Sequence, residues 1–112
     1  MKLPNAARGL VEYDKIVSYL MNPTHPEGAG KAGFFQALGF QREKWQLLAE
    51  ALLLVAVEGN VEQVVESIHG SKYIVDGVLL GINGRRAIIR TVWIMEWGSE
   101  RPRLVTAYPK EE

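Results

Sequence analysis

Residues 72–97 read KYIVDGVLLGINGRRAIIRTVWIMEW, and the way this stretch pairs with itself decides the fold. Two runs rich in Val, Ile, Leu, Tyr and Trp flank Asn83-Gly84, and Asn-Gly between such runs is the strongest short-range signal for a β-hairpin. With those two residues as the whole turn, Leu80 faces Ala87, Val78 faces Ile89, Gly77 faces Arg90, Val75 faces Val92 and Tyr73 faces Ile94. Ile74, Val78 and Leu80 then share a side with Ala87, Ile89, Thr91, Trp93, Met95 and Trp97, and this side is expected to pack on helices. Tyr73, Val75 and Leu79 share the other with Ile88, Arg90, Val92 and Ile94.

Working outward, residues 61–69 and 103–108 carry the same composition, so the expected strands are 61–69, 72–80, 86–97 and 103–108. Gly70-Ser71 is expected to turn the first hairpin and residues 98–102 the third. Upstream, the periodicity changes. Trp45, Leu48, Ala49, Leu52, Val55 and Ala56 recur at helical spacing and predict a helix over 42–57, stopped by Gly59-Asn60. A first helix is expected between Asp14, as its cap, and Asn22-Pro23. The segment NPTHPEGAG at 22–30 reads as a loop, and 32–38 as a short helix ended by Gly39. The fold class is therefore α+β, with three N-terminal helices followed by a four-stranded antiparallel β-meander. Residues 1–112 form a single domain, its helical half at 12–58 and its sheet half at 61–109. Trp45, Leu48, Leu52, Ile89, Trp93 and Met95 are expected in one core.

A chain of 112 residues with 47% hydrophobic and 23% charged residues can bury one core and is far from the composition of a disordered segment. Thirteen basic residues balance thirteen acidic ones, so no global field draws the chain to nucleic acid or anionic lipid. The balance is local: residues 71–109 hold six bases against three acids, and residues 1–70 hold six against eight. Without cysteine there is no disulfide framework, no thiolate nucleophile and no cysteine zinc site. No signal peptide or membrane span is expected, and the expected location is cytoplasmic.

Arg90 is the unusual residue of the sheet half, a cation in an otherwise apolar strand opposite Gly77. On the expected face Glu66 and Tyr73 join it, offering a base, a hydroxyl donor and a fixed cation for an anionic group such as phosphate. The bland alternative is that Arg90 pairs with Glu66 across the sheet. His69, beside the first turn, could move a proton near neutral pH. Thr106 and Tyr108 put two hydroxyls on one face of the last strand, which also carries Arg103. Lys31 follows Gly28-Ala29-Gly30 at a helix start, where free amides attract anions, but the spacing does not match a phosphate-binding loop. The candidates are thus Glu66, His69, Tyr73, Arg90 and Thr106 for catalysis, and Lys31, Arg103 and Tyr108 for substrate binding. His25 has no second ligand at metal spacing, so neither a metal nor a cofactor is expected.

The segments YLMNPTHPEGAGKAGFFQALGF, GSKYIVDG, RRAIIRTVWI and PRLVTAYP resemble a family of small bacterial proteins of unknown function. Similar segments occur as C-terminal modules of phage head-morphogenesis-like proteins and of polymorphic toxins. The resemblance implies the barnase, EndoU, colicin and RelE ribonuclease-like fold. It also implies the toxin half of a toxin–antitoxin pair, with a small antitoxin-like protein as partner and RNA as substrate. Two functions follow as expectations. One is a metal-independent endoribonuclease; the other is a non-catalytic domain that binds a protein, or a second copy of itself, through its apolar sheet face.

Overall fold

The structure, a computed structural model that describes residues 1–110, places all helices before all strands. Three α-helices are present: α1 (Tyr13–Lys15), α2 (Ala29–Ala37) and α3 (Trp45–Glu58). The first is short because it passes directly into a π-helical stretch, Ile16–Leu20, in which the Met21 amide donates to the Ile16 carbonyl at 2.7 Å. The wider π turn lets Ile16, Leu20 and Met21 all be fully buried and leaves Tyr19 half-exposed beside them. Asp14 does not cap this helix. Glu12 occupies the cap position without a side-chain bond, and Asp14 lies inside the first turn. Helix α2 begins three residues earlier than the sequence suggests, for a reason given below, and Gly39 follows it at φ 90°.

Helix α3 buries Leu48, Ala49, Leu52, Val55 and Ala56, the face its spacing predicts. It stops at Gly59, where a Cβ would lie 2.6 Å from the carbonyl oxygens of both Val55 and Asp76. That close approach lets the chain turn straight into the sheet. The strands are β1 (Asn60–Ser67), β2 (Gly70–Leu80), β3 (Arg86–Glu96) and β4 (Arg103–Pro109), antiparallel throughout and in the order β1-β2-β3-β4.

Both hairpin registers differ from expectation. Asn83-Gly84 is not a two-residue turn: Gly81 N–H bonds Arg85 O at 2.7 Å, and only Gly84 has a positive φ, 84°. This is a three-residue loop closed by a left-handed glycine. The Asn83 side chain donates to the Ala37 carbonyl (3.0 Å) and accepts from the Arg85 amide (3.1 Å), tying the loop to the end of α2. The pairs become Leu80↔Arg86, Val78↔Ile88, Asp76↔Arg90 and Tyr73↔Trp93. A slip of one residue exchanges the faces of β2 and leaves those of β3. Ile89, Thr91 and Trp93 are buried as expected, but the buried β2 residues that share the helix side with them are Val75 and Leu79, while Val78 (57% exposed) and Leu80 (52%) face outward. In the first hairpin Ile68-His69 forms the tip, Ser67 pairs with Gly70, and Glu66 pairs with Ser71 instead of Val75.

The core joins Leu48 and Leu52 to Ile89 and Trp93, with Trp45 partly buried against it; Met95 is half-exposed and Trp97 lies 61% exposed at the sheet end. The Trp93 indole N–H donates to Thr91 Oγ1 (2.8 Å), whose hydroxyl donates to the Val75 carbonyl (2.8 Å), so the buried polar atoms are paired. Leu10 bridges Arg103 and covers part of the β4 edge. Among the described residues no helix is long and apolar enough to cross a membrane.

Candidate functional site

The corrected register takes apart the pocket expected around Arg90. Its partner is Asp76, which it grips with two bonds of 2.8 Å, Nε to Oδ1 and Nη2 to Oδ2. Lys110 Nζ adds a third contact to Oδ2 at 3.1 Å. The Arg90 hydrogen bonds hold the Asp76 carboxyl below the usual carboxylate range; burial works against this and Lys110 adds to it. In return Asp76 raises the pKa of the already strongly basic guanidinium, with Tyr108, opposite it on β4, contributing. Arg90 is thus ion-paired to a carboxylate that it shares with Lys110, and the three side chains together keep one positive charge.

The other expected members scatter. Tyr73 pairs with Trp93 on the helix side and packs against the core, on the opposite face from Arg90. Glu66 accepts the Ser71 hydroxyl on both oxygens, at 2.8 and 3.0 Å, and His69 sits exposed at the hairpin tip. Arg103 lies between Glu96 (3.1 Å) and Glu12 (3.5 Å).

Lys31 and Thr106, by contrast, are brought together around a residue that sequence reasoning passed over. Tyr19, presented sideways by the π-helical stretch, bonds Thr106 through its hydroxyl at 2.9 Å. Its ring has Lys31 Nζ at 5.2 Å and Lys15 Nζ at 5.4 Å from the centroid, both within cation–π range. The His25 ring meets it edge-on at 5.0 Å. Lys15, Tyr19, His25, Glu27, Val105 and Thr106 line an open cavity of about 440 Å³. A smaller recess of about 230 Å³ adjoins it, sharing Lys15 and Tyr19 and reaching Arg103.

Four parts of the chain build this cluster: α1 with its π extension, the loop leading into α2, the first turn of α2 with Lys31, and the edge strand β4. Lys15 and Tyr19 stand four residues apart on one helical face, a spacing legible in the sequence. What the sequence does not display is that the 22–28 loop folds back onto that face. The cavity offers the Lys15 ammonium, a phenol, a hydroxyl and an imidazole, with the Glu27 carboxylate in the same lining and Lys31 beside it over the Tyr19 ring, its Nζ donating to the Glu27 carbonyl at 3.0 Å; these donors suit an oxyanion. Among the described residues no group of three acidic or histidine side chains is disposed to hold a metal.

The chain belongs to the family described as Domain of unknown function (DUF6883), whose model matches residues 2–111. No functionally curated protein matches it. A chain of a contact-dependent growth inhibition toxin–immunity protein complex from Klebsiella pneumoniae 342 has a similar structure, with a TM-score of 0.73 and 19% identity. The likeness covers 96% of this chain and 97% of that one, and at such identity it is a likeness of fold.

Proposed function

We propose that this DUF6883 chain is a toxin domain that cleaves single-stranded RNA without a metal ion, using the Tyr19 cavity to hold the scissile phosphodiester. The observation that carries the reading is the convergence of Lys15 and Lys31 on one phenol ring whose hydroxyl bonds Thr106. The Lys15 ammonium lines the cavity, and the Lys31 ammonium, which donates to the Glu27 carbonyl at 3.0 Å, lies over the same ring, so both attract an anion that enters beside Tyr19. A fold shared with a chain of a toxin–immunity protein complex fits a toxin or an immunity role and supports a protein as partner.

In the reaction the substrate's 2′-oxygen bonds phosphorus as the bond from phosphorus to the 5′-oxygen breaks. The 2′-hydroxyl gives up a proton and the leaving 5′-oxygen takes one, both exchanged with water in the open cavity. Lys15 and Lys31 offset the charge that builds on the phosphoryl oxygens, while Tyr19 and Thr106 hydroxyls orient the group. The test is purified, partner-free protein with labelled single-stranded RNA in excess chelator. Cleavage to a 2′,3′-cyclic phosphate, with 2′-deoxy substrate inert, is expected, and Lys31→Ala should slow it by about a hundredfold. RNA left intact, or cleavage only with magnesium, would sink the reading.

A second reading has its own observation: Val78, Leu80, Ile82 and Ile88 are all about half exposed at the turn end of the central hairpin. Such clustering suits a protein-binding domain without catalysis. Its signature would be a Leu80→Asp variant that loses a cognate partner while the cavity variant Lys31→Ala keeps it.

A further inference from the structure

The loop from 22 to 28 is held by Asn22 at its start, by Lys31 Nζ on the Glu27 carbonyl (3.0 Å), and at its end by one imidazole. Asn22 Oδ1 accepts from the Thr24 amide (3.0 Å) and hydroxyl (2.8 Å), turning the chain back. His25 Nδ1 then accepts from the amides of Glu27 (3.0 Å) and Gly28 (3.1 Å). Gly28 is the cap position of α2, so the imidazole satisfies amides at a helix start that have no carbonyl to bond. This is why α2 begins early. Gly28 itself is wedged in, since a Cβ there would lie 2.0 Å from the Tyr19 carbonyl oxygen.

A ring nitrogen that accepts carries no hydrogen, so neutral His25 has its proton on Nε2. Nε2 makes no hydrogen bond among the described residues, and the ring lines the cavity beside Lys15 and Thr106. Glu27 is the one carboxylate that lines this cavity.

We propose that His25 is a clamp and a donor: Nδ1 fastens the 22–28 loop to the start of α2, and Nε2–H donates to a phosphodiester oxygen in the cavity. The donor half rests on the phosphodiester reading; the clamp half does not. Both can be measured on the whole protein, whose only other histidine is His69. Nitrogen-15 imidazole spectra at pH 7 should show His25 as the Nε2–H tautomer. Three variants separate the roles. His25→Asn keeps an acceptor near the Nδ1 position and drops the donor, His25→Gln does the reverse, and His25→Ala drops both.

Amide exchange at Glu27 and Gly28 should quicken by about tenfold in the Ala and Gln variants and be largely rescued in Asn, since one hydrogen bond is at stake. A 2′-deoxy oligonucleotide, which cannot be cleaved, should bind the Asn variant about tenfold more weakly than wild type. An Nδ1–H tautomer, an imidazolium at pH 7, or an Asn variant that exchanges as fast as Ala would overturn the clamp. Unchanged oligonucleotide affinity in the Asn variant, with the clamp signals intact, would overturn the donor half alone.

Discussion

Asp76 and Arg90 show how one residue's partner changes its meaning. A lone arginine in an apolar strand was conspicuous in the sequence, but its function depended on which residue stood opposite, and Gly77 and Asp76 are neighbours. With Asp76 nearly buried and doubly bonded, Asp76→Asn should lower stability at pH 7 by about 1–3 kcal/mol, because the guanidinium loses its counter-charge. The sign of its pH dependence follows from a carboxyl whose folded pKa lies below its unfolded value. Its stabilisation is complete above about pH 4 and fades as pH falls through the folded pKa, so wild type and Asp76→Asn should converge in acid denaturation curves. Arg90→Ala should weaken the fold in urea titrations while leaving the cleavage rate per folded molecule near wild type. A large rate loss without a stability change would return Arg90 to the site.

Among the elements, the helices and strands themselves were legible, because periods of 3.6 and 2 and the glycine turns are written in adjacent residues. The registers were not. Asn83 spends its side chain on the Ala37 carbonyl, 46 residues away, and a contact of that range leaves no local trace. The loop that brings His25 onto Tyr19 is local, but it turns on side-chain-to-amide bonds from Asn22 and His25 that residue type alone does not specify. Two glycine substitutions test these elements. At Gly84, where nothing lies within 4 Å, Gly84→Ala should cost about 1 kcal/mol from backbone conformation alone, and Gly84→Asn should recover part of it. Thermal melts of the pair will show whether the order holds. Gly28→Ala is different in kind. Its Cβ would collide with the Tyr19 backbone, so it should push the loop off α1 and abolish cleavage while far-ultraviolet circular dichroism stays native. Full activity in that variant would mean the loop is no part of the site.

For the whole molecule, a net charge of zero argued against nucleic acid as a partner, yet the neutrality is an average over unlike surfaces. The acidic strand β1 (Glu62, Glu66) forms one edge of the sheet, while Lys15, Lys31 and His25 gather beside β4 at the other. Lys31 and Thr106 could be chosen from the sequence by chemistry alone. Tyr19 and Lys15 could not, since a tyrosine and a lysine on a short helix are ordinary until the loop and the edge strand arrive beside them. The proposed site therefore puts the substrate's phosphate at the Tyr19 cavity and not on the outer sheet face. Chemical-shift mapping with a single-stranded 2′-deoxy oligonucleotide tests it most directly, at low salt where phosphate contacts are strongest. The account predicts shifts that titrate together at Lys15, Tyr19, His25, Lys31 and Thr106, and little change at Val78, Ile88 or Arg90. Shifts centred on the outer face, or none at millimolar oligonucleotide, would contradict it.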